Sequence, residues 1–306
     1  MKKLSFLLAA ALLLLITAGC SLEPPGWAKP NAGGDLKNIK IGLSVSTLNN
    51  PFFVSLKDGV VAEANKHGME TIVVDAQNDS AKQSNDVDDL IQKGVNVLLI
   101  NPADSAAIST VVESANSLGI PVITLDRSSD KGDVEALVAS DNVKGGQMAA
   151  EYIVQLLGKG AKVVELEGVA GASATRERGK GFHEIADKDL NVVAKQAADF
   201  DRTKGLNVME NLLQANPDVQ AVFAHNDEMA LGAIEAIRSS GKDIPVIGFD
   251  GNEDALKSIA AGKLTATVAQ QPELIGQMAV QAAYEVLQGK TVDKSIPAPL
   301  KLVTKE

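Results

Sequence analysis

Six segments of the chain share a position: Asn49-Asn50-Pro51-Phe52-Phe53, Asn101-Pro102, Asp126-Arg127, Asn226-Asp227, Phe249-Asp250 and Gln270 each stand at or just past the end of a short apolar, β-branched run. Amides, carboxylates and guanidinium groups gathered in this way suit a ligand rich in hydroxyls, because every hydroxyl both donates and accepts. The oxygens of Asn50, Asp126, Asn226, Asp250 and Gln270 can accept. Arg127 and Arg176 can each fork across two neighbouring oxygens, with Asp126 and Asp250 offsetting their charge. A buried network of this kind discriminates, since a missing or inverted hydroxyl leaves a partner unpaired at about 1–3 kcal/mol. Aromatic rings supply the other half of the chemistry. In a chain with 3% aromatic residues, Phe52, Phe53 and Phe249 fall in these segments and Phe200 in another polar, loop-like one, ADFDR at 198–202. Two such rings can clamp the apolar C–H faces of a sugar by dispersion and burial.

The elements that must position these groups are legible as an alternation. Strand candidates are residues 39–45, 71–75, 95–100, 122–125, 134–140, 162–166, 192–195, 221–224, 246–249 and 266–269. Helix-length amphipathic stretches lie between most of them, such as 53–67, 81–93, 107–118, 144–157, 176–186, 205–215 and 228–239. Repeated βα units build parallel sheets. The expected fold is therefore α/β, as two doubly wound parallel-sheet lobes, with an eight-unit barrel as the alternative at this length. In open parallel sheets ligands sit beyond the carboxyl ends of the strands, where the polar segments fall.

The N-terminus and the charge narrow the functional classes. Residues 1–19 carry Lys2 and Lys3, an apolar run over 4–16, and Thr17-Ala18-Gly19 before Cys20. That is the pattern of an export signal, and the run is shorter than the ~20 residues of a spanning helix. Cys20 is the only cysteine, so an intramolecular disulfide, a cysteine-rich zinc site and a CxxC pair are excluded together. Its place after small residues marks it as the acylation site of a lipoprotein. Residues 20–36 are rich in Pro and Gly and read as a flexible tether holding the sole tryptophan, Trp27, whose emission should change little when the folded body binds a ligand. The full chain has a net charge of -10, and loss of Lys2 and Lys3 with the signal takes it to -12. Nucleic acid is a poor partner for such a body, and so is an anionic lipid surface.

Beyond these local readings, a series of blocks resembles one family along nearly the whole body. They are STLNNPFFVSLKDG at 46–59, LLINPADS at 98–105, PVITLDR at 121–127, ASDNVKGG at 139–146, GVAGASATRERGKGF at 168–182, ADFDR at 198–202, NDEMALGA at 226–233, GFDG at 248–251 and ATVAQQP at 266–272. In order and spacing they resemble the ribose-binding proteins of bacterial ATP-driven (ABC) sugar importers. The resemblance implies two lobes joined by three crossovers and closing on one sugar: an N-terminal lobe of residues 37–140 plus 271–298, and a C-terminal lobe of 141–270 plus 299–306. It assigns ligand contacts to Asn50, Phe52, Phe53, Asp126, Arg127, Arg176, Phe200, Asn226, Asp250 and Gln270, with Phe53 and Phe200 sandwiching the ring. Ser46, Asn101 and Phe249 would stand behind or beside them. The implied partners are D-ribose, the importer's permease and in some systems a chemoreceptor, for a monomer on the outer face of the cytoplasmic membrane with no cofactor and no metal. His225 stands where the family usually has Gln, and in a strand it would point away from Asn226 as a structural histidine.

Other chemistries fit less well. Gly171-Ala172-Ser173-Ala174-Thr175 lacks the last glycine of a nucleophile elbow, and no phosphate-binding GxxxxGK[ST] loop is present. His67, His183 and His225 lack metal-ligand spacing. Asp227-Glu228 opens a helix, where capping is the simple role. A sugar-responsive repressor would carry a basic DNA-binding head in place of residues 1–34. A hydrolase could use Asp126 and Asp250, yet arginine neighbours would lower both, the wrong direction for a general acid. The residues leave open a related monosaccharide such as allose, or a carbohydrate-processing enzyme.

Overall fold

In the computed structural model, which describes residues 38–305, two six-stranded sheets form two lobes. The expected signal and the whole expected tether, with Cys20 and Trp27, lie outside the described residues. The elements run β1 (Lys40–Val45), α1 (Pro51–Lys66), β2 (Glu70–Asp75), α2 (Ser80–Gln92), β3 (Val97–Ile100), α3 (Ser109–Ser117), β4 (Val122–Leu125) and β5 (Ala136–Ser140). They continue with α4 (Asn142–Leu157), β6 (Lys162–Glu167), α5 (Ser173–Asp189), β7 (Asn191–Ala197), α6 (Arg202–Ala215), β8 (Ala221–Ala224) and α7 (Asp227–Ser239). The chain closes with β9 (Val246–Asp250), α8 (Glu253–Ala260), β10 (Ala266–Ala269), α9 (Pro272–Leu287), β11 (Ser295–Ala298) and β12 (Lys301–Thr304).

The sheet orders are β11-β5-β4-β3-β1-β2 and β12-β10-β9-β8-β6-β7. All pairings are parallel except β10 with β12. Two separate sheets rule out the barrel. The chain passes between them three times: after β5, after β10, and between β11 and β12. β11 and β12 were not among the strand candidates. Pro297 breaks the β-branched pattern in β11 and is tolerated there because β11 is an edge strand.

Burial explains the local choices. β3 (VLLI), β4 (VITL) and β8 (AVFA) are buried at every residue, as strands covered by helices on both faces must be. In the first lobe α1 and α9 pack one face and α2 and α3 the other. In the second, α6, α7 and α8 pack one face and α4 and α5 the other. The helix starts are set by side-chain caps: Asn50 before Pro51, Asp79 before α2, Asp141 before α4, Asp201 before α6 and Asn226 before α7. Phe52 and Phe53 therefore lie in the first turn of α1 and Phe249 lies within β9, not in loops.

Candidate ligand-binding site

The carboxyl ends of the two sheets face each other across a tight cavity lined by Asn50, Phe52, Phe53, Asp126 and Arg127 from the first lobe and Ala174, Arg178, Phe200, Asn226 and Asp250 from the second. The lining comes in equal parts from the two lobes, so a ligand held there would touch both. Asn50 and Asn226 reach it because they are helix caps. The Asn50 side-chain oxygen accepts from Phe52 N at 2.9 Å and that of Asn226 from Met229 N at 3.0 Å. Each cap brings a helix N-terminus, with its partial positive charge, to the cavity wall.

Three of the seven described non-glycine residues with positive φ line this cavity. Asp126 (φ 63°), Phe200 (φ 59°) and Asp250 (φ 122°) hold positive φ, a costly conformation for residues with a Cβ and a common mark of functional sites. Phe200 also requires Gly168 beneath it, because a Cβ there would lie 2.1 Å from the Phe200 ring. The rings carry cations on their faces. The Arg127 guanidinium sits 5.0 Å from the Phe53 centroid and 5.3 Å from that of Phe200, and Arg178 sits 3.8 Å from Phe249 and 5.8 Å from Phe200.

Hydrogen bonds from behind fix the polar groups. Arg127 donates to Pro102 O at 2.9 Å and approaches Asp126 at 3.5 Å. Asn101 donates to Leu125 O at 3.0 Å and Asp126 at 3.4 Å, while its own oxygen accepts from Ser46 N at 3.1 Å. Gln270 does not line the cavity; it donates to Asp250 at 2.9 Å. Gln83, which sequence reasoning passed over, steadies this layer by donating to Asn101 O at 2.9 Å and accepting from Ala103 N at 2.8 Å. Asp126 Oδ1 and Arg127 Nε are buried without a hydrogen-bond partner in the protein. Buried polar atoms left unpaired at a cavity wall are costly alone and are the atoms a polar ligand would satisfy.

Arg176 is a correction. It does not reach the cavity: it is 46% exposed and pairs with Asp130 at 2.9 Å. The arginine in the cavity is Arg178, 3% exposed, which donates to Asn142 at 2.8 Å and to His225 O at 2.6 Å and lies 3.7 Å from Asp250. The signal for it was in the sequence, since Ala174, Arg178 and Phe182 stand four apart on the buried stripe of α5. Arg176, two residues earlier, points to the opposite side.

Arg176 instead belongs to a rim where the lobes meet. Asp130 and Arg176 come from different lobes, and beside them Ser105 N donates to Gly171 O at 2.9 Å, Ser173 N to Ser105 Oγ at 3.2 Å and Ser128 N to Ser173 Oγ at 2.9 Å. These contacts exist only with the lobes together, so the structure is a closed form. Arg176→Ala and Asp130→Ala should each weaken ligand binding by only about two- to fivefold, as expected of an exposed pair. The double variant should be no weaker than either single one by titration calorimetry. A loss above a hundredfold for Arg176→Ala would return that residue to the ligand.

The carboxyl groups need a second correction. Burial pushes Asp126 up and outweighs Arg127, Arg178 and Asn101, which lower it. Burial likewise pushes Asp250 well up against Arg178. The arginines do not prevail as the sequence suggested; desolvation of the charged form does. Asp227 is not a simple cap either. Its buried carboxyl accepts from Gly251 N and Asn252 N at 2.8 Å each and from Thr267 Oγ1 at 2.7 Å, tying down the turn after Asp250. Burial raises its pKa to about 7.

Known proteins share this architecture. The model of the periplasmic binding protein domain matches residues 41–291. Over 306 residues, the whole of both chains, the sequence is 70% identical to Ribose import binding protein RbsB of Bacillus subtilis (strain 168). It is 56% identical over 268 residues to the protein of the same name from Escherichia coli (strain K12), covering 87% of this chain and 90% of that one. Among solved structures, the Caulobacter myo-inositol binding protein bound to myo-inositol aligns with a TM-score of 0.84 at 33% identity, over 88% of this chain and 94% of the other. With the two-lobed fold, the cleft and the domain match in agreement, the chain belongs to the periplasmic binding protein family.

Proposed function

We propose that the protein captures D-ribose between its lobes by hinge closure and delivers it to the permease of an ABC importer. The observation that carries this reading is the cavity itself: small, closed by both lobes, walled by Phe53 and Phe200, and presenting the unpaired Asp126 Oδ1 and Arg127 Nε. The similarity to Ribose import binding proteins over the full chain supports the sugar and the transport role. Such proteins are substrate carriers of transporters, not enzymes, and they work outside the cytoplasm.

Asn50, Phe52, Phe53, Asp126, Arg127, Arg178, Phe200, Asn226 and Asp250 are the proposed sugar contacts, with Gln270, Asn101, Ser46 and Phe249 holding them. Residues 37–140 with 271–298, and 141–270 with 299–306, are the two bodies that move. Sugar bridges the lobes and shifts the population toward the closed form that the permease reads. Cys20 is the proposed lipid anchor at the outer face of the cytoplasmic membrane, with residues 20–36 as its tether.

Titration calorimetry of ligand-stripped protein tests the reading with D-ribose, allose, arabinose, xylose, galactose and glucose. D-ribose should bind with micromolar or tighter affinity, worth about -8 kcal/mol or more, and the others far more weakly. Tight binding of another sugar would move the substrate within the same role. Silence across the panel would overturn the assignment.

A further inference from the structure

Behind the cavity, a second polar chain runs from solvent to the carbonyl that holds Arg178. Glu165 sits in the middle of β6, between β7 and β8, with no exposed surface and no part in the cavity. A carboxylate there is costly unless paired and hydrogen-bonded. Its Oε1 lies 2.8 Å from His225 Nε2 and its Oε2 2.9 Å from His183 Nε2, while His183 Nδ1 lies 2.7 Å from Asp187 Oδ1. Carboxylate oxygens only accept, so a His183 ring with a carboxylate at each nitrogen must carry hydrogen on both and is an imidazolium. His225 donates through Nε2, and its buried Nδ1 has no hydrogen-bond partner in the protein. At the inner end, His225 O accepts from Arg178 at 2.6 Å. Arg178 and His183 share α5, so the chain fastens that helix to β6 and to the end of β8.

We propose that Glu165, His183 and His225 form a proton-dependent brace that positions Arg178, so that sugar affinity falls as the His183 imidazolium loses its proton. The proposal rests on the reading that Arg178 meets the sugar. The environment agrees with the geometry. Burial pulls His183 down, but its hydrogen bonds and charge interactions with Asp187 and Glu165 outweigh it and hold the imidazolium above its usual range. Burial pushes Glu165 up, yet the two histidines outweigh it and hold it below the usual range.

The other groups facing the pair do not replace it. Lys195 on β7 pairs with Glu167 at 3.2 Å, and Glu184 on α5 accepts from Gln147 of α4 at 2.7 Å. Because the folded pKa of His183 is raised, the brace is fully present below about pH 6.5 and is lost as pH rises through the higher folded value. Once neutral, the ring must turn a lone pair toward Asp187 or Glu165. His183 is 28% exposed and Asp187 67%, so solvent reaches this end of the chain.

The test is ribose affinity from pH 6 to pH 9, beside the ¹⁵N resonance of the Arg178 side chain and the ring resonances of His183 in sugar-free protein. With three histidines in the chain, the ring signals are readily assigned. Affinity should fall about three- to tenfold across the range, and the Arg178 resonance should move with the His183 midpoint. His183→Gln keeps one donor to Glu165 and should flatten both profiles. A pH profile of affinity that is flat in the parent, or as steep in His183→Gln, would overturn the brace, as would thermal stability that follows pH while Arg178 and affinity do not. If no sugar binds at pH 6, the transport reading fails, and the Arg178 resonance still decides the brace.

Discussion

Arg178→Ala should weaken D-ribose binding more than a hundredfold, about 3 kcal/mol or more, where Arg176→Ala costs only a few-fold. The variant removes a buried fork held by Asn142 and His225 O and lifts the cation off the Phe249 ring. It also leaves Asp250 without the charge 3.7 Å away. Burial already pushes that carboxyl well up, and losing Arg178 pushes it further in the same direction, so the folded protein should survive the change by favouring the uncharged acid. Arg178→Lys keeps the charge but offers a point donor in place of a planar fork, and it should recover only part of the loss. Titration calorimetry on both variants, with melting curves as the folding control, makes the comparison. An unchanged affinity in Arg178→Ala with intact melting would remove Arg178 from the sugar.

Asp227→Ala should be the most destabilising of the changes considered, by about 2–4 kcal/mol, or roughly 5–10 °C in melting temperature. It strands Gly251 N and Asn252 N in a buried turn and deprives Thr267 of its partner. Those amides set the turn that holds Asp250 at φ 122°, so sugar affinity should fall as well. Asp227→Asn should cost much less, because one amide oxygen still accepts from the backbone and the Thr267 hydroxyl can accept in its turn.

A pH signature separates the two variants further. The Asp227 carboxyl titrates at about 3.8 in the unfolded chain and about 7 in the folded one, so its contribution to stability falls as pH rises between those values. Asp227→Asn should lack that slope in denaturant unfolding from pH 4 to pH 7. A slope as steep as the parent's would show that Asp227 is already ionised over that range.

Much of this protein could be read from its residues in order. The ten strand candidates all fall on observed strands, and the chain crosses between lobes where β5, β10 and β11 end. The apolar runs, caps and glycines that mark these elements act over a few neighbouring residues, so a linear reading finds them. β11 and β12 escaped because edge strands bury little and carry no strong pattern: Ser295 and Lys301 are exposed, and Pro297 interrupts the run. The clustering of Asn50, Asp126, Asn226 and Asp250 was legible for a related reason, since a parallel sheet sends the ends of its strands to one side.

The tertiary structure decided what those groups meet. Arg176 and Arg178 are two residues apart and of one type, and on a helix their directions differ by roughly 200°, so only the phase of α5 against α4 and the sheet sends one to the cavity and the other to the rim. Asp227 looked like a cap, but Gly251, Asn252 and Thr267, more than twenty residues away, made it a brace for the turn that holds Asp250. Glu165 drew no notice in sequence and became the buried centre of a histidine pair. Local residue patterns set the order of the elements and the residue types at strand ends; packing between distant segments chose which side chains are desolvated, and desolvation sets their charge, their partners and their part in binding.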